Sequence, residues 1–508
     1  MADEPTEVAT NNDDASATKK PAAPKKRATP KKAARKVLSV PDNMKKSAQD
    51  PEPSPEASIR VEHEDAEDIP TDNKGRPMGR VKGGRIGGGR DNRNDNRNGN
   101  RNRKGNNRGR DRDRERNHDR NRDDDSRQAS KLSGDPFDVA GLFEGTPKGF
   151  GFLRVAERNY EQSREDVFIS PDLVQSASLR PGQFIKGKAQ QGNRGPQLVS
   201  IDSLNDLPVD EARNHPHFEE LKAVFPSKRI GLETTPDRFT TRVVDILAPV
   251  GRGQRGLIVS PPRAGKTTLL LHIAEAVQEL HEETLHLMIC LVDERPEEVT
   301  EFKRQCPDAE IYASSNDEPP RNHCRLAELC IERAKRLVEG GQHVFLLMDS
   351  ITRLARAYNN QMGGNKRQSR GRGIQSGGIM AGALEMPRRL FAAARNTREA
   401  GSLTILGTAL VHTNSKADDA IFQEFKGTGN MELVLDRKLA EHFVYPAVDI
   451  FRSGTRREEL LLPDHTLHKI NLIRRGLAGH REIEAMERLL FFLKKFPNNA
   501  QMLLEIKG

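Results

Sequence analysis

The chain has no tryptophan, and no phenylalanine or tyrosine precedes Phe137. Residues 1–134 also lack any periodic pattern of aliphatic side chains and are rich in Asn, Asp, Arg, Lys, Gly and Pro. Such a segment cannot bury enough surface to offset the entropy of ordering it, so disorder is expected there. No run of eighteen apolar residues occurs anywhere, which argues against a membrane-spanning helix. Met1 is followed by acidic and polar residues rather than by a basic and then apolar leader. A soluble, cytoplasmic protein with no membrane contact is the expectation.

Cysteine is also scarce. Cys290, Cys306, Cys324 and Cys330 show no paired C-x-x-C spacing, which disfavours a zinc or redox centre and favours free thiols. His215 and His217 have no further ligands nearby at zinc spacing and read as incidental.

A chain of 508 residues with 34% hydrophobic and 31% charged residues averages a disordered part with an ordinary globular one, and its length suggests two or more domains. The net charge of +9 is mild for this length, and its distribution says more. Residues 19–36 form a Lys/Ala/Pro polycation and residues 62–68 are acidic. Residues 74–110 carry thirteen Lys and Arg against Asp91 and Asp95, a net of eleven, among Gly and Asn. Arg-Gly tracts bind single-stranded RNA through phosphate attraction and guanidinium stacking. RNA contact is favoured over a solvated linker, although the Arg-Asp repeats of residues 111–125 partly self-neutralise.

The most informative stretch is Gly256-Leu257-Ile258-Val259-Ser260-Pro261-Pro262-Arg263-Ala264-Gly265-Lys266-Thr267-Thr268, followed by Leu269-Leu270-Leu271. An apolar strand feeding a loop of small residues that ends in Gly-Lys-Thr, then a helix, wraps backbone N–H groups around phosphates. Lys266 would meet the β- and γ-phosphates and Thr267 would ligate Mg²⁺. Ser260 departs from the pattern, which asks for glycine at the first loop position.

From residue 135 the composition turns globular. Gly149-Phe150-Gly151-Phe152-Leu153-Arg154 alternates so that in a strand both rings project from one face and the glycines leave room on the other. Val167-Phe168-Ile169, residues 182–188 and residues 197–204 read as further short strands, which suits a small OB-like barrel. Surface Phe beside Arg154, Lys186 and Lys188 would give a single-stranded nucleic acid platform. Phe184 reads as core, and Phe150 and Phe152 as the RNA face.

Residues 206–241 read as a polar connector. After Arg242 strands alternate with helices to the end of the chain, which signals an α/β sheet. Residues 285–292 form an apolar strand ending in Asp293-Glu294-Arg295-Pro296, where a carboxylate faces the ligand crevice. Glu294 is the candidate base or water positioner for attack on a γ-phosphate. A second apolar strand, residues 343–348, ends in Asp349, which would hold Mg²⁺ with Thr267. Arg353 and Arg356 follow on one helix face. Arg452-Ser453-Gly454-Thr455-Arg456-Arg457 puts arginines on a turn that can present one to a neighbouring subunit's nucleotide. Residues 363–373 with Ser376-Gly377-Gly378, and Thr413-Asn414-Ser415-Lys416, are loops that can line a pore.

Several of these stretches, together with Pro249-Val250-Gly251-Arg252-Gly253-Gln254-Arg255-Gly256 and Phe425-Lys426-Gly427-Thr428-Gly429-Asn430-Met431, resemble the family of bacterial transcription termination factor Rho over residues 135–508. The resemblance implies an α/β fold in which a disordered tail (1–134), an OB-fold RNA-binding domain (135–205) and a connector (206–241) precede a RecA-like P-loop ATPase (242–508). It further implies a homohexamer that binds nascent single-stranded RNA, hydrolyses ATP with Mg²⁺, translocates 5′ to 3′ and acts on the RNA polymerase elongation complex. By position, Pro262, Arg263, Ala264, Gly265, Lys266, Thr267, Thr268 and Arg295 contact the nucleotide and Tyr445 stacks on adenine. Glu294 stays the base, Arg353 resembles the interface sensor, and Arg456 resembles the arginine finger supplied in trans. Phe150, Phe152, Arg154 and Phe168 resemble the primary RNA site, and Arg372, Ser376, Gly377 and Lys416 the pore loops. The family tolerates a residue other than glycine at Ser260. Phe443 stands where many members have a second interface arginine, residues 189–200 lack the family's further stacking ring, and the family's small helical subdomain has no room before Leu142. Two other readings, an RNA-binding condensate protein and a rotary or secretion ATPase, are disfavoured by the intact catalytic set and by the Gly-Phe-Gly-Phe barrel.

Overall fold

The structure, a computed structural model, describes residues 132–364 and 376–506. The expectations for residues 1–131 and for Arg372 lie outside the described residues. The strands β1 (Ser133–Gly145), β2 (Gly151–Arg154), β3 (Phe168–Ile169), β4 (Phe184–Gly192) and β5 (Gly195–Leu204) close a barrel in which β1 pairs with both β2 and β4. On β4, Ile185, Gly187 and Ala189 are buried while Lys186 and Lys188 are exposed, the period-two pattern of a half-buried strand. Phe143, Leu153, Ile169, Ile185, Leu198 and Leu204 form the barrel's core.

Two expectations change here. The longest strand, β1, was not foreseen as one: its first residues, Ser133-Gly134-Asp135-Pro136, are exposed and carry no alternation. Its pairing comes from the β4 backbone, from Phe137 opposite Ala189 to Leu142 opposite Phe184. Phe184 is half-buried at the barrel's edge and packs against the core of the large sheet, with the Arg333 guanidinium 5.7 Å from its ring.

After a short helix Val209–Arg213, β6 (Ala223–Val224), β7 (Arg229–Ile230) and the helix Phe239–Leu247 occupy the connector, so the boundary expected at 242 falls inside a helix. The pair partner of β7 is β8 (Val250–Gly251). The main sheet holds β9 (Arg255–Ser260), β10 (His286–Glu294), β11 (Glu310–Ser315), β12 (His343–Asp349), β13 (Arg395–Thr397), β14 (Ser402–Leu410), β15 (Met431–Val434) and β16 (Gly454–Thr455), joined by β6. Its order is β11-β10-β12-β14-β9-β15-β16, parallel from β11 to β15, with β13 and β6 at the side.

Helices cover both faces, which is why β12 and β14 are buried along nearly their whole length without alternation. Phe345 and Leu347 turn to the face packed by the helix Lys266–His281, and Leu346 and Met348 to the face packed by the helices Pro320–Glu339 and Ile351–Gly364. The parallel topology gathers the C-terminal ends of β9, β10, β12 and β14 along one edge, the ligand crevice of such sheets. The alternation of strands and helices does not continue to the end of the chain. Residues after 463 form only helices: Asp464–Leu477, Glu482–Lys495 and Asn499–Glu505. Arg242, fully buried, ties them back by donating to the Leu493 carbonyl and the Asn499 side chain at 3.0 and 3.2 Å.

Candidate nucleotide and RNA sites

The strand β9 ends at Ser260, and after the loop a helix opens at Lys266. Ser260, where the loop pattern asks for glycine, is buried and its hydroxyl donates to the Pro261 carbonyl at 3.0 Å. Pro262, Arg263 and Thr268 are exposed and Ala264 is buried. The Lys266 ammonium pairs with Asp349 and donates to Glu294 Oε2 at 3.4 Å. Both carboxylates are about 1% exposed. Asp349 Oδ1 also accepts from the Thr408 hydroxyl at 2.7 Å. Arg353 donates to Glu294 Oε1 at 2.9 Å and to the Asp293 carbonyl. Four expected residues from four separate elements therefore converge.

Burial pushes the Glu294 carboxyl up from its ordinary range. Lys266 opposes the rise, the Asp349 charge adds to it, and Arg353 opposes it again. A carboxylate so raised is better matched to taking a proton near neutral pH. The Thr267 hydroxyl donates to Glu298 Oε2 at 2.9 Å. Arg295 is exposed, 3.9 Å from Glu298. Glu298 was missed as a member of this site. Its signal was its place in Glu294-Arg295-Pro296-Glu297-Glu298, one helical turn from the strand end.

Beside the loop is a cleft of about 420 Å³ lined by Tyr445, Pro446, Gly265, Thr268, Phe239 and His272, among others. The half-exposed Tyr445 ring comes within 3.7 Å of the point where a Cβ on Gly265 would stand, so it covers the start of the P-loop helix. Phe239 and His272 are further lining residues that sequence reasoning missed. His272, four residues after Thr268 on one helix, could have been found from that spacing.

On the barrel, Phe152 and Phe168 are direct cross-strand partners, and with Phe150 they form a cluster with centroids 5.6–5.9 Å apart. All three rings are half-buried. Gly151 makes this possible, because a Cβ there would stand 2.2 Å from the Phe143 ring that fills the barrel side. Arg154 departs from expectation. It is 4% exposed, donates to Glu144 and Asp166, and lies 5.1 Å from the Phe152 ring. Two carboxylates hold it inside, so it supports Phe152 and presents no free cation to a phosphate.

The two loops expected to share a pore do meet: a Cβ on Gly377 would lie 2.6 Å from the Lys416 carbonyl oxygen. Ser376 opens the same turn. Lys416 is exposed at the first position of the helix Lys416–Lys426, capped by Ser415. Arg356 pairs with Asp418 on that helix, so the two arginines on one helix face serve different neighbours.

Arg456 is exposed, with its backbone N–H donating to the Asn430 carbonyl at 2.9 Å. It follows β16, five strand spacings from β10 in the sheet order, or about 24 Å. An arginine side chain cannot bridge that span to Glu294 of its own chain. Phe443 is 86% exposed and adopts φ +57°.

A model of the ATP synthase alpha/beta family nucleotide-binding domain matches residues 240–455. A model of the Rho termination factor RNA-binding domain matches residues 139–210. Transcription termination factor Rho of Aquifex aeolicus is 46% identical over 371 residues, 72% of this chain and 84% of that protein. The chain belongs to the transcription termination factor Rho family. The Rho of Pseudomonas aeruginosa is 46% identical over 388 residues, covering 75% of this chain and 90% of that protein. That of Thermotoga maritima is 45% identical over 366 residues, covering 72% and 84%. The Rho RNA-binding model spans the whole Phe150, Phe152 and Phe168 cluster. The nucleotide-binding model spans Lys266, Glu294, Asp349 and Arg353 and ends one residue before Arg456.

Proposed function

We propose that this Rho-family chain is an RNA-dependent ATPase and helicase of the cytoplasm that ends transcription. It works as a homohexamer that binds nascent single-stranded RNA on its barrels and translocates 5′ to 3′, acting on the RNA polymerase elongation complex. The observation that carries this reading is the division of the hydrolytic groups. Lys266, Glu294 and Asp349 converge on one crevice, while the exposed Arg456 stands about 24 Å from β10 across the sheet. A hydrolytic site that needs both halves takes them from two chains.

In this reading the loop Pro262 to Thr268, through the backbone N–H groups that follow Pro262, and the exposed Arg295 hold the ATP phosphates, and Tyr445 stacks on the base. Lys266 leaves its carboxylate partners for the β- and γ-phosphates, freeing Glu294 to orient the attacking water. Arg353 fixes the Glu294 carboxylate. Thr267 and Asp349 present a hydroxyl and a buried carboxylate, the oxygen donors a hard cation takes. Mg²⁺ bound there supplies charge neutralisation to the phosphates. Phe150, Phe152 and Phe168 stack bases, and Lys416 with the Ser376-Gly377 turn grips RNA in the pore. The chain then divides functionally into a tail (1–134), an RNA-loading barrel (135–205), a connector (206–241) and a motor (242–508).

The test is ATP hydrolysis with and without single-stranded RNA for the wild type and for Lys416→Ala. Stimulation by RNA that Lys416→Ala abolishes is expected; hydrolysis indifferent to RNA, or to that substitution, sinks the motor reading. Because β1 begins at Ser133, removing residues 1–131 tests the tail. Its loss should weaken RNA binding and flatten the salt dependence.

A further inference from the structure

The outer edge of β11 is the end of the large sheet, where backbone N–H and C=O groups would lack strand partners. At Ala313 a barrel side chain meets them. The Asn159 amide accepts from the Ala313 N–H at 3.2 Å through Oδ1 and donates to the Ala313 carbonyl through Nδ2, imitating one residue of a paired strand. Next to it, Tyr160 stacks on Tyr312 with centroids 4.4 Å apart and planes 11° off parallel. Asn159 and Tyr160 hold φ of +51° and +55°, a conformation L residues enter at a cost, so the contact is built into the loop. A second tie runs beside it. Arg325, on the helix Pro320–Glu339, donates to the Tyr160 carbonyl at 2.8 Å and to Glu144 Oε2 at 3.1 Å, the oxygen that also accepts from Arg154 beneath Phe152.

The other end of β11 touches the catalytic strand. Ser315 pairs with Glu294, the Asn316 N–H donates to the Glu294 carbonyl at 3.1 Å, and the Ser314 hydroxyl accepts from the Asp293 N–H at 3.4 Å. From Ala313 to Asn316 is three residues, about 10 Å of strand. The loop bearing Asn159 joins β2 to β3, the strands that carry Phe152 and Phe168.

We propose that Asn159 and Tyr160 are positioning residues that couple RNA on the aromatic cluster to the placement of Glu294, with β11 as the rigid element between them. The inference rests on the RNA-dependent ATPase reading above. Bases that stack on Phe152 and Phe168 fix the spacing of β2 and β3, which sets the loop between them. The loop then holds β11, and β11 holds the backbone of Asp293 and Glu294. Asn159 touches neither RNA nor nucleotide in this scheme, so its loss separates binding from coupling.

The experiment measures three quantities on the full chain: RNA affinity, ATP hydrolysis without RNA, and the fold stimulation at saturating RNA. It compares wild type, Asn159→Ala, Asn159→Asp and Tyr160→Phe. Asn159→Asp keeps an acceptor for the Ala313 N–H but sets a carboxylate against the Ala313 carbonyl. Both Asn159 variants should keep RNA affinity and unstimulated hydrolysis within about twofold while stimulation falls about tenfold. Tyr160→Phe, which keeps the stacked ring, should retain stimulation. Unchanged stimulation in Asn159→Asp overturns the inference and leaves the ATPase reading intact, as does a loss of RNA affinity in step with stimulation. A wild type that RNA does not stimulate overturns both.

Discussion

Charge is handled in opposite ways at the two halves of the composite site proposed above. Around the P-loop, Lys266, Glu294, Asp349 and Arg353 are buried or half-buried and satisfy one another within one chain. Arg456, Lys416 and Phe443 are exposed, and the first two are cations that take no carboxylate partner among the described residues. A self-satisfied cluster is pre-organised and needs only the displacement of Lys266 by a phosphate. An exposed cation or ring gains its energy from whatever covers it. The difference implies that this chain completes its chemistry by association, and each prediction below presses on one side of it.

The largest effect is expected on the exposed side. Arg456→Ala should lower ATP hydrolysis by about 10³–10⁵ while nucleotide still binds. In the proposed hexamer the finger and base belong to different chains, so mixing Arg456→Ala with Glu294→Gln should restore part of the rate. Mixed sites then combine an intact Glu294 from one variant with an intact Arg456 from the other. Steady-state hydrolysis of the mixture against each variant alone decides it, and absence of recovery would remove Arg456 from the role of a finger supplied in trans.

On the buried side, Glu294→Gln should cost about 10²–10⁴ in rate, the range for a positioned acid or base. The pH profile sharpens this. The base works only when deprotonated, and burial holds its carboxyl above the ordinary range, so activity should fall with decreasing pH along a limb displaced upward. An acid limb at an ordinary carboxylate value would remove Glu294 from the role.

How much of this was readable beforehand divides along physical lines. Lys266, Glu294 and Asp349 were legible because a parallel sheet puts the ends of its strands in one place, so an apolar run ending in a polar residue reports its own position. Phe150 and Phe152 were legible for a similar local reason, the alternation with glycine. Arg154 was misplaced because its role depends on Glu144 and Asp166, and nothing in the spacing reveals that a cation has two carboxylates beneath it. Likewise β1 owes its length to β4, and the Asn159 contact joins residues 154 positions apart. The terminal helices were not told apart from the alternating pattern because their apolar faces join the same core as the sheet and need no further strand.

The junction of barrel and sheet carries its own charge pattern, intermediate between the two halves. Glu310 on β11 is half-buried, which raises its pKa, yet His286, Arg333 and Tyr312 outweigh that and bring it down from 4.5 to about 2. A depressed carboxyl contributes stability above its unfolded value that is lost as pH falls through the folded one. Glu310→Gln should therefore cost on the order of 3 kcal/mol near neutral pH and erase the part of the acid-side slope between about pH 4.5 and 2. Thermal melts of both proteins across that range measure it; parallel melting curves would deny Glu310 the role. Smaller again is Phe168→Ala, which removes one stacking ring and should weaken single-stranded RNA by about 1–3 kcal/mol without changing unstimulated hydrolysis.

The finest test concerns Arg154, which stands on the RNA-binding barrel but has the burial of the P-loop cluster. If it contacted a phosphate, Arg154→Gln would reduce the slope of log affinity against log salt by about 0.7, the value for one neutralised phosphate on a single strand. Burial and two carboxylate partners argue for no change in slope. The substitution should instead leave Glu144 with Arg325 alone and Asp166 with Arg158 alone, lower the melting temperature of the barrel, and weaken RNA equally at low and high salt as Phe152 loses its support. A slope that drops by the full amount, with melting unchanged, would return Arg154 to the exposed group and erase the distinction between the cation that supports a ring and the cations that wait for a partner.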